Sequence, residues 1–235
     1  LEALLADPSV EIVYVASPHE FHRDQAVAAL GAGKHVLVEK PMAVTPEDAD
    51  AMVAAADRAG RHVIVGHSHA HDLPYARTRA LIETGDFGPV ALVAALNFTD
   101  FLYRARRPEE LDTGRGGGVV FSQGAHQIDV ARRLIGAPVV SVRAMTARLD
   151  PARPTEGLYA ALLGFEGGAA ASLVYDGTGW FDSDVWMGGI GELGMPKLPF
   201  APGAARRAIA ALGGGAAEVS AKNARAFAPS TAAAT

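Results

Sequence analysis

Short, mostly apolar runs alternate with longer stretches in which apolar residues recur at helical spacing, most regularly at the start of the chain. Leu1–Ala6 reads as the last turns of a helix, with Asp7-Pro8-Ser9 as the break after it. Val10–Ala16 reads as a strand that stops at Ser17-Pro18-His19. Glu20–Ala32, with Phe21, Ala26 and Leu30 among its apolar positions, suits a helix closed by Gly31 and Gly33. Val36, Leu37 and Val38 form a buried strand, His35–Val38, that breaks abruptly at Glu39-Lys40-Pro41. Thr45 suits an N-cap, Pro46 the first helical position, and Gly60 the stop after a helix reaching Ala59. His62–Gly66 is a third strand. Three strands joined by two helices specify a right-handed parallel βαβαβ unit.

The pattern changes after about Asp72. Leu73–Thr84 suits a helix closed by Gly85, and Pro89–Thr99 a long strand. Phe101–Arg115 is irregular and charged, and Gly116-Gly117-Gly118 opens a helical stretch over Val119–Ile135. Pro138–Leu149, Gly157–Phe165 and Ala169–Tyr175 read as strands, the last two joined by the turn Glu166-Gly167-Gly168. Consecutive strands with short turns imply an antiparallel sheet, so the second half is α+β. From Ala201 onward alanine and glycine dominate. Ala204–Leu212 suits a short helix, whereas Gly213-Gly214-Gly215 and Thr231–Thr235 read as frayed and about 201–235 as poorly ordered.

The three parallel strands end in Ser17-Pro18-His19, Glu39-Lys40-Pro41 and His67-Ser68-His69-Ala70-His71-Asp72. All three polar clusters therefore fall on one sheet edge, where ligands collect in open α/β sheets. Pro41 fixes its own φ and pushes Lys40 out of helical conformation, so the backbone aims the lysine. Two readings stay open locally: a salt-bridged Glu39–Lys40 pair at a strand end, or a reactive lysine.

Composition narrows the field. A net charge of −5 with no basic face argues against nucleic acid as a partner. No window approaches the run of about 20 apolar residues that a membrane span needs. The first residues lack a signal-peptide pattern. The absence of cysteine excludes disulfides and thiolate sites and fits the cytoplasm.

Four segments carry a resemblance. Val13-Tyr14-Val15-Ala16-Ser17-Pro18 followed by His22 is similar to a "TP…H" segment, and Gly33-Lys34-His35-Val36-Leu37-Val38-Glu39-Lys40-Pro41 to "GKHV-x-x-EKP". Gly85-Asp86-Phe87-Gly88-Pro89-Val90 resembles "G-x-[IFL]-G-x-[VI]", and Gly116-Gly117-Gly118 through His126 and Asp129 resembles "GGG…H-x-x-D". Together they resemble the Gfo/Idh/MocA oxidoreductases. The resemblance implies an α/β fold: a partial Rossmann domain for NAD or NADP over residues 1–72, then an α+β domain over 73–235. The second domain would carry a largely antiparallel open sheet, which commonly makes the homo-oligomer interface. It further implies Lys40 as the catalytic lysine and His126 as its partner in a proton relay. Glu39 would steady the lysine and cofactor, and Ser17, Pro18, His19 and His22 would lie along the dinucleotide.

The departures are as informative. Many relatives carry aspartate four residues before the histidine, where this chain has Ser122 followed by Gln123. A serine cannot tune His126 as a carboxylate would. No G-x-G-x-x-G phosphate turn is present before the first parallel strand. By analogy about 55 residues of the family's first domain precede Leu1. The expected activity is hydride transfer between nicotinamide and a hydroxyl or carbonyl of a cyclic polyol, sugar or aromatic dihydrodiol. The alternative is a non-catalytic remnant or assembly module that does not bind cofactor.

The segment Asn97–Asp112, with Ser122 and Gln123, resembles the 4,5-dihydroxyphthalate dehydrogenase-like branch. Guanidinium forks suit carboxylates, which nominates Arg104 and Arg106 for substrate, against a reading in which they pair with Glu109, Glu110 and Asp112. His67, His69 and His71 alternate, so an extended segment would turn them to one face. Three imidazoles could hold a transition metal, but the family needs none. A substrate-side role for His67 and His69 is the favoured expectation, with no metal site.

Overall fold

The computed structural model describes residues 1–191 and 194–226. A short helix α1 (Glu2–Ala6) leads into β1 (Ile12–Val15), α2 (His22–Gly31), β2 (His35–Val38), α3 (Pro46–Ala59) and β3 (Val63–Val65). The three strands are parallel in the order β1-β2-β3. The local rules that govern α3 are visible in its ends. Thr45 Oγ1 accepts from the Asp48 amide at 3.1 Å, Pro46 opens the first turn, and Gly60 closes it in the left-handed region at φ 59°.

Right-handed crossovers put α2 and α3 on the same side of the sheet. Val13, Val15, Val36 and Val38 face them and pack with Ala26, Ala29, Leu30, Met52, Ala55 and Ala56. Leu30 and Met52 are fully buried, each contributing about 2 kcal/mol of transfer free energy. The opposite face is bare: Ile12, Tyr14 and Ile64 are 63%, 57% and 61% exposed. Parallel sheets are ordinarily covered on both faces.

The second half comprises α4 (Leu73–Glu83), β4 (Leu92–Phe98), α5 (Ala125–Ile135), β5 (Val139–Ala147), β6 (Leu158–Phe165) and β7 (Ala170–Asp176). The sheet order is β4-β7-β6-β5. β5, β6 and β7 are antiparallel neighbours, as short turns require, but β4 runs parallel to β7. The parallel pair follows from the long excursion through α5, which frees β4 from hairpin geometry. One face packs Tyr159, Leu163, Phe165, Ala171, Leu173 and Tyr175 with Phe101, Val119 and Ala131. On the other, Leu92, Leu96, Met145 and Leu162 are exposed.

Two expectations need correction. The stretch expected as one helix over Val119–Ile135 opens with a π-helical turn, Val120–Gly124, before α5 begins. The helix expected over Ala204–Leu212 is present as α6 with those bounds, but the segment after it, expected to be frayed and poorly ordered, forms a further helix, α7 (Gly215–Ala226). Gly213 and Gly214, at φ 72° and 75°, make the turn between them. Buried Glu218 anchors α7, accepting from Arg153 Nη1 at 2.8 and 3.0 Å and from the Arg106 amide at 2.9 Å. The Thr231–Thr235 ending lies outside the described residues. Among the described residues no helix is long and apolar enough to cross a membrane.

Candidate active site

The ends of β1 and β2 are locked together from below by His22. Its ring is fully buried, with Nε2 2.9 Å from the Ser17 carbonyl and Nδ1 3.0 Å from that of Pro41. Both nitrogens are used by backbone, so His22 shapes the two loops rather than facing a ligand. Ser17 Oγ donates to Gln25 Oε1 at 2.8 Å. Glu39 receives the Tyr14 hydroxyl on Oε1 at 2.5 Å and the Lys40 amide on Oε2 at 3.3 Å. The carboxylate beside it raises the Tyr14 pKa, chiefly through that hydrogen bond. The Lys40–Pro41 peptide is cis.

Lys40 reaches across to the second half, where its Nζ donates to the carbonyl of Ser122 at 3.1 Å. That carbonyl belongs to the π-helical turn, whose widened geometry is frequent at functional sites. The glycine triplet makes the approach possible. A Cβ on Gly117 would lie 2.6 Å from the Glu110 carbonyl, and one on Gly118, at φ 90°, 2.1 Å from Glu156 Oε1. Buried Glu156 in turn accepts from the Val120 amide at 3.1 Å and from Thr113 Oγ1 at 2.6 Å, which fixes the start of the turn.

Ser17, Pro18, His19, Lys40, Ser122 and Gln123 share one cavity of about 320 Å³. Its far wall comes from the turns around Arg106–Glu110 and from Lys222 of α7. His19 has its pKa lowered by burial first, then by His22 and Lys40. Gln123 also lines a second cavity of about 310 Å³, which holds His69, His126, Gln127 and Tyr175.

His126 is 6% exposed and stacked on His69, ring centroids 3.7 Å apart, with His67 edge-on at 6.4 Å. Burial, reinforced by His69, Lys40 and His67, pushes its pKa down to about 3. It is therefore neutral at ordinary pH. Among the described residues, the buried His67 and His126 Nδ1 atoms have no hydrogen-bond partner.

The alternation argument for His67, His69 and His71 fails because Ser68–His71 is a 3₁₀ turn rather than extended chain. His67 and His69 turn toward His126, whereas His71 lines a separate groove between α4 and α5. Among the described residues no three His, Asp or Glu side chains gather as metal ligands would. The arginines also divide. Arg104 binds Asp100 and lines another cavity beside Asn97 and Lys197, away from Lys40. Arg106 lies over the Phe101 ring at 3.8 Å and donates to the Phe101 carbonyl and Glu110. Burial lowers its pKa to about 10. It serves as wall, with little surface for a ligand.

Sequence reasoning missed Arg107, Arg115 and Lys222 in the wall of this cavity, and Asn223, which accepts from Arg107. The i, i+4 spacing of Glu218 and Lys222 on a helical stretch was the available signal.

Residues 1–67 match the family model described as the oxidoreductase family with an NAD-binding Rossmann fold, and residues 75–195 match the Gfo/Idh/MocA C-terminal domain. The chain is 53% identical over 194 residues to a 1-carboxy-3-chloro-3,4-dihydroxycyclohexa-1,5-diene dehydrogenase of Comamonas testosteroni, covering 83% of this chain and 49% of that protein. A crystal structure from Bordetella bronchiseptica RB50 superposes with TM-score 0.91 and 42% identity, over 97% of this chain and 59% of that one. Levoglucosan dehydrogenase in complex with NADH and levoglucosan gives TM-score 0.69 and 26% identity, over 75% and 50% of the respective chains. The chain spans about half the length of the curated relatives it matches. With both domain models matched in order around a single lysine-centred edge, this chain belongs to the Gfo/Idh/MocA oxidoreductase family.

Proposed function

We propose that this chain serves an NAD- or NADP-dependent dehydrogenase that oxidises a secondary hydroxyl on a carboxylated cyclic diol, acting in the cytoplasm. The observation that carries the proposal is Lys40, whose Nζ is held by the Ser122 carbonyl at 3.1 Å in a polar cavity at the carboxyl ends of parallel strands. The substrate class takes its support from the Comamonas testosteroni relative, whose name specifies a carboxylated ring diol.

Ser17, Pro18, His19 and Lys40 line one cavity, which fits the nicotinamide end of a dinucleotide. Bound there, the nicotinamide supplies the hydride acceptor. Alcohol oxidation removes a hydride from carbon and a proton from oxygen. Lys40 faces the cavity and, as the uncharged amine, is the group placed to hold the hydroxyl and take its proton, becoming the ammonium. Glu39, tied to Tyr14 and the Lys40 amide, keeps the strand end rigid. Neutral His126, stacked on His69, adds no charge beside Lys40 and is suited to a hydrogen bond with the substrate side rather than to taking up a proton. Gln123 spans both cavities and is suited to orient the ring hydroxyls. The exposed face of Leu92, Leu96 and Leu162 supports association with a second copy.

Fluorescence titration of the chain with NADH and NADPH tests the cofactor assignment. Saturable binding of either is expected, and binding of neither would refute it.

A further inference from the structure

Five cationic side chains, Lys40, Arg106, Arg107, Arg115 and Lys222, and three carboxylates, Glu20, Glu109 and Glu110, line the Lys40 cavity. Most of these charges are matched inside the protein. Arg115 grips both oxygens of Glu20, with contacts between 2.8 and 3.0 Å. Arg106 and Lys222 share Glu110, at 3.3 and 2.9 Å. Glu109 acts on Arg115, whose pKa it helps to raise. Lys40 rests on the Ser122 carbonyl.

Arg107 differs. Its guanidinium donates from Nε and Nη2 to a neutral acceptor, Asn223 Oδ1, at 3.2 and 3.0 Å. Among the described residues no carboxylate bonds its side chain. Glu110, the acid nearest in sequence, takes the Arg107 backbone amide at 2.9 Å and spends its remaining capacity on Arg106 and Lys222. Asn223 thus fixes one edge of the fork and leaves the Nη1 edge for a second planar acceptor. A half-buried guanidinium with fixed orientation and an unmatched charge is the chemistry that recognises a carboxylate.

We infer that Arg107, oriented by Asn223 of α7, binds the ring carboxylate of the substrate and selects carboxylated diols over their uncharged analogues. The inference rests on the dehydrogenase reading above and adds the residue that sets its substrate class. It also gives α7 a role, since the helix presents Asn223 to Arg107 and is anchored by Glu218 on Arg153.

Calorimetric titration of the full chain with 3,4-dihydroxybenzoate and with catechol, which lacks the carboxylate, tests the assignment. The wild-type chain should prefer the carboxylated probe by about 10- to 100-fold, the worth of a charge-assisted bidentate contact. Arg107→Ala should remove that preference while binding catechol as before, which also shows that its cavity still stands. Arg107→Lys, a charge without the fork, should restore only part of it. Equal binding of the two probes by the wild type, or a preference retained in Arg107→Ala, would overturn the inference. NADH titration of the same preparations separates the two readings. No NADH binding beside an intact carboxylate preference counts against the dehydrogenase alone. NADH binding with no carboxylate preference counts against Arg107 alone.

Discussion

Lys40 and Ser122 lie 82 residues apart in sequence, yet the lysine Nζ donates to the serine's main-chain carbonyl at 3.1 Å, joining the parallel-sheet half to the π-helical turn of the second half. The position four residues before His126 is thus in contact with the lysine, through backbone rather than side chain. The contact has a direct consequence. Ser122→Ala removes only the hydroxyl, so turnover should stay within about twofold of the wild type, as for substitutions that touch no named interaction. Steady-state kinetics of the two proteins checks this. A loss like that of a Lys40 variant would mean that the serine hydroxyl carries the role.

The turn that presents Ser122 depends on Gly118. A methyl there meets Glu156 Oε1 at 2.1 Å and Thr155 Oγ1 at 2.4 Å, on a backbone at φ 90°. Gly118→Ala should therefore cost about 2–5 kcal/mol, combining left-handed strain with overpacking. Urea denaturation measures the loss, and a cost below that of an ordinary surface change would contradict the packing described.

The ion pair of Arg153 and Glu218 is buried on both sides. Glu218→Ala leaves the guanidinium uncompensated and should destabilise the chain by about 3–5 kcal/mol. Replacing both partners with apolar residues of similar volume should recover most of that loss. Thermal unfolding of the single and double variants reads the difference.

His126 makes stability depend on pH. Its pKa falls from the ordinary 6.5 to about 3, burial being the largest cause. Between those values the unfolded chain binds a proton that the folded chain refuses. Stability therefore falls as pH drops below about 6.5 and is unaffected by this group above it, with a cost of about 2 kcal/mol at pH 5. His67 is shifted the same way, mainly by burial. Denaturation at pH 5 and pH 7.5 should show the difference in the wild type and a smaller one in His126→Gln.

What was legible in the sequence was local. Thr45, Pro46 and Gly60 mark the ends of α3 because caps act on adjacent amides and on their own φ. The three strand ends could be placed on one edge because strand direction follows from the connecting helices. What failed depended on distant partners. Whether Arg104, Arg106 or Arg107 faces the cavity is decided by Asp100, the Phe101 ring and Asn223, and spacing along the chain says nothing of these. The histidine alternation assumed an extended segment where the chain makes a 3₁₀ turn. α7 hid behind its alanines, since Glu218, Lys222 and Asn223 gain meaning only against Arg153, Glu110 and Arg107.

The central claim is that Lys40 performs the proton transfer of an alcohol dehydrogenation. The most direct measurement is the rate of NADH or NADPH formation with a carboxylated ring cis-diol, wild type against Lys40→Ala, alongside cofactor titration of both. Loss of a general acid–base group predicts a fall in turnover of about 10²- to 10⁴-fold with cofactor affinity retained. Turnover by Lys40→Ala at the wild-type rate would contradict the claim.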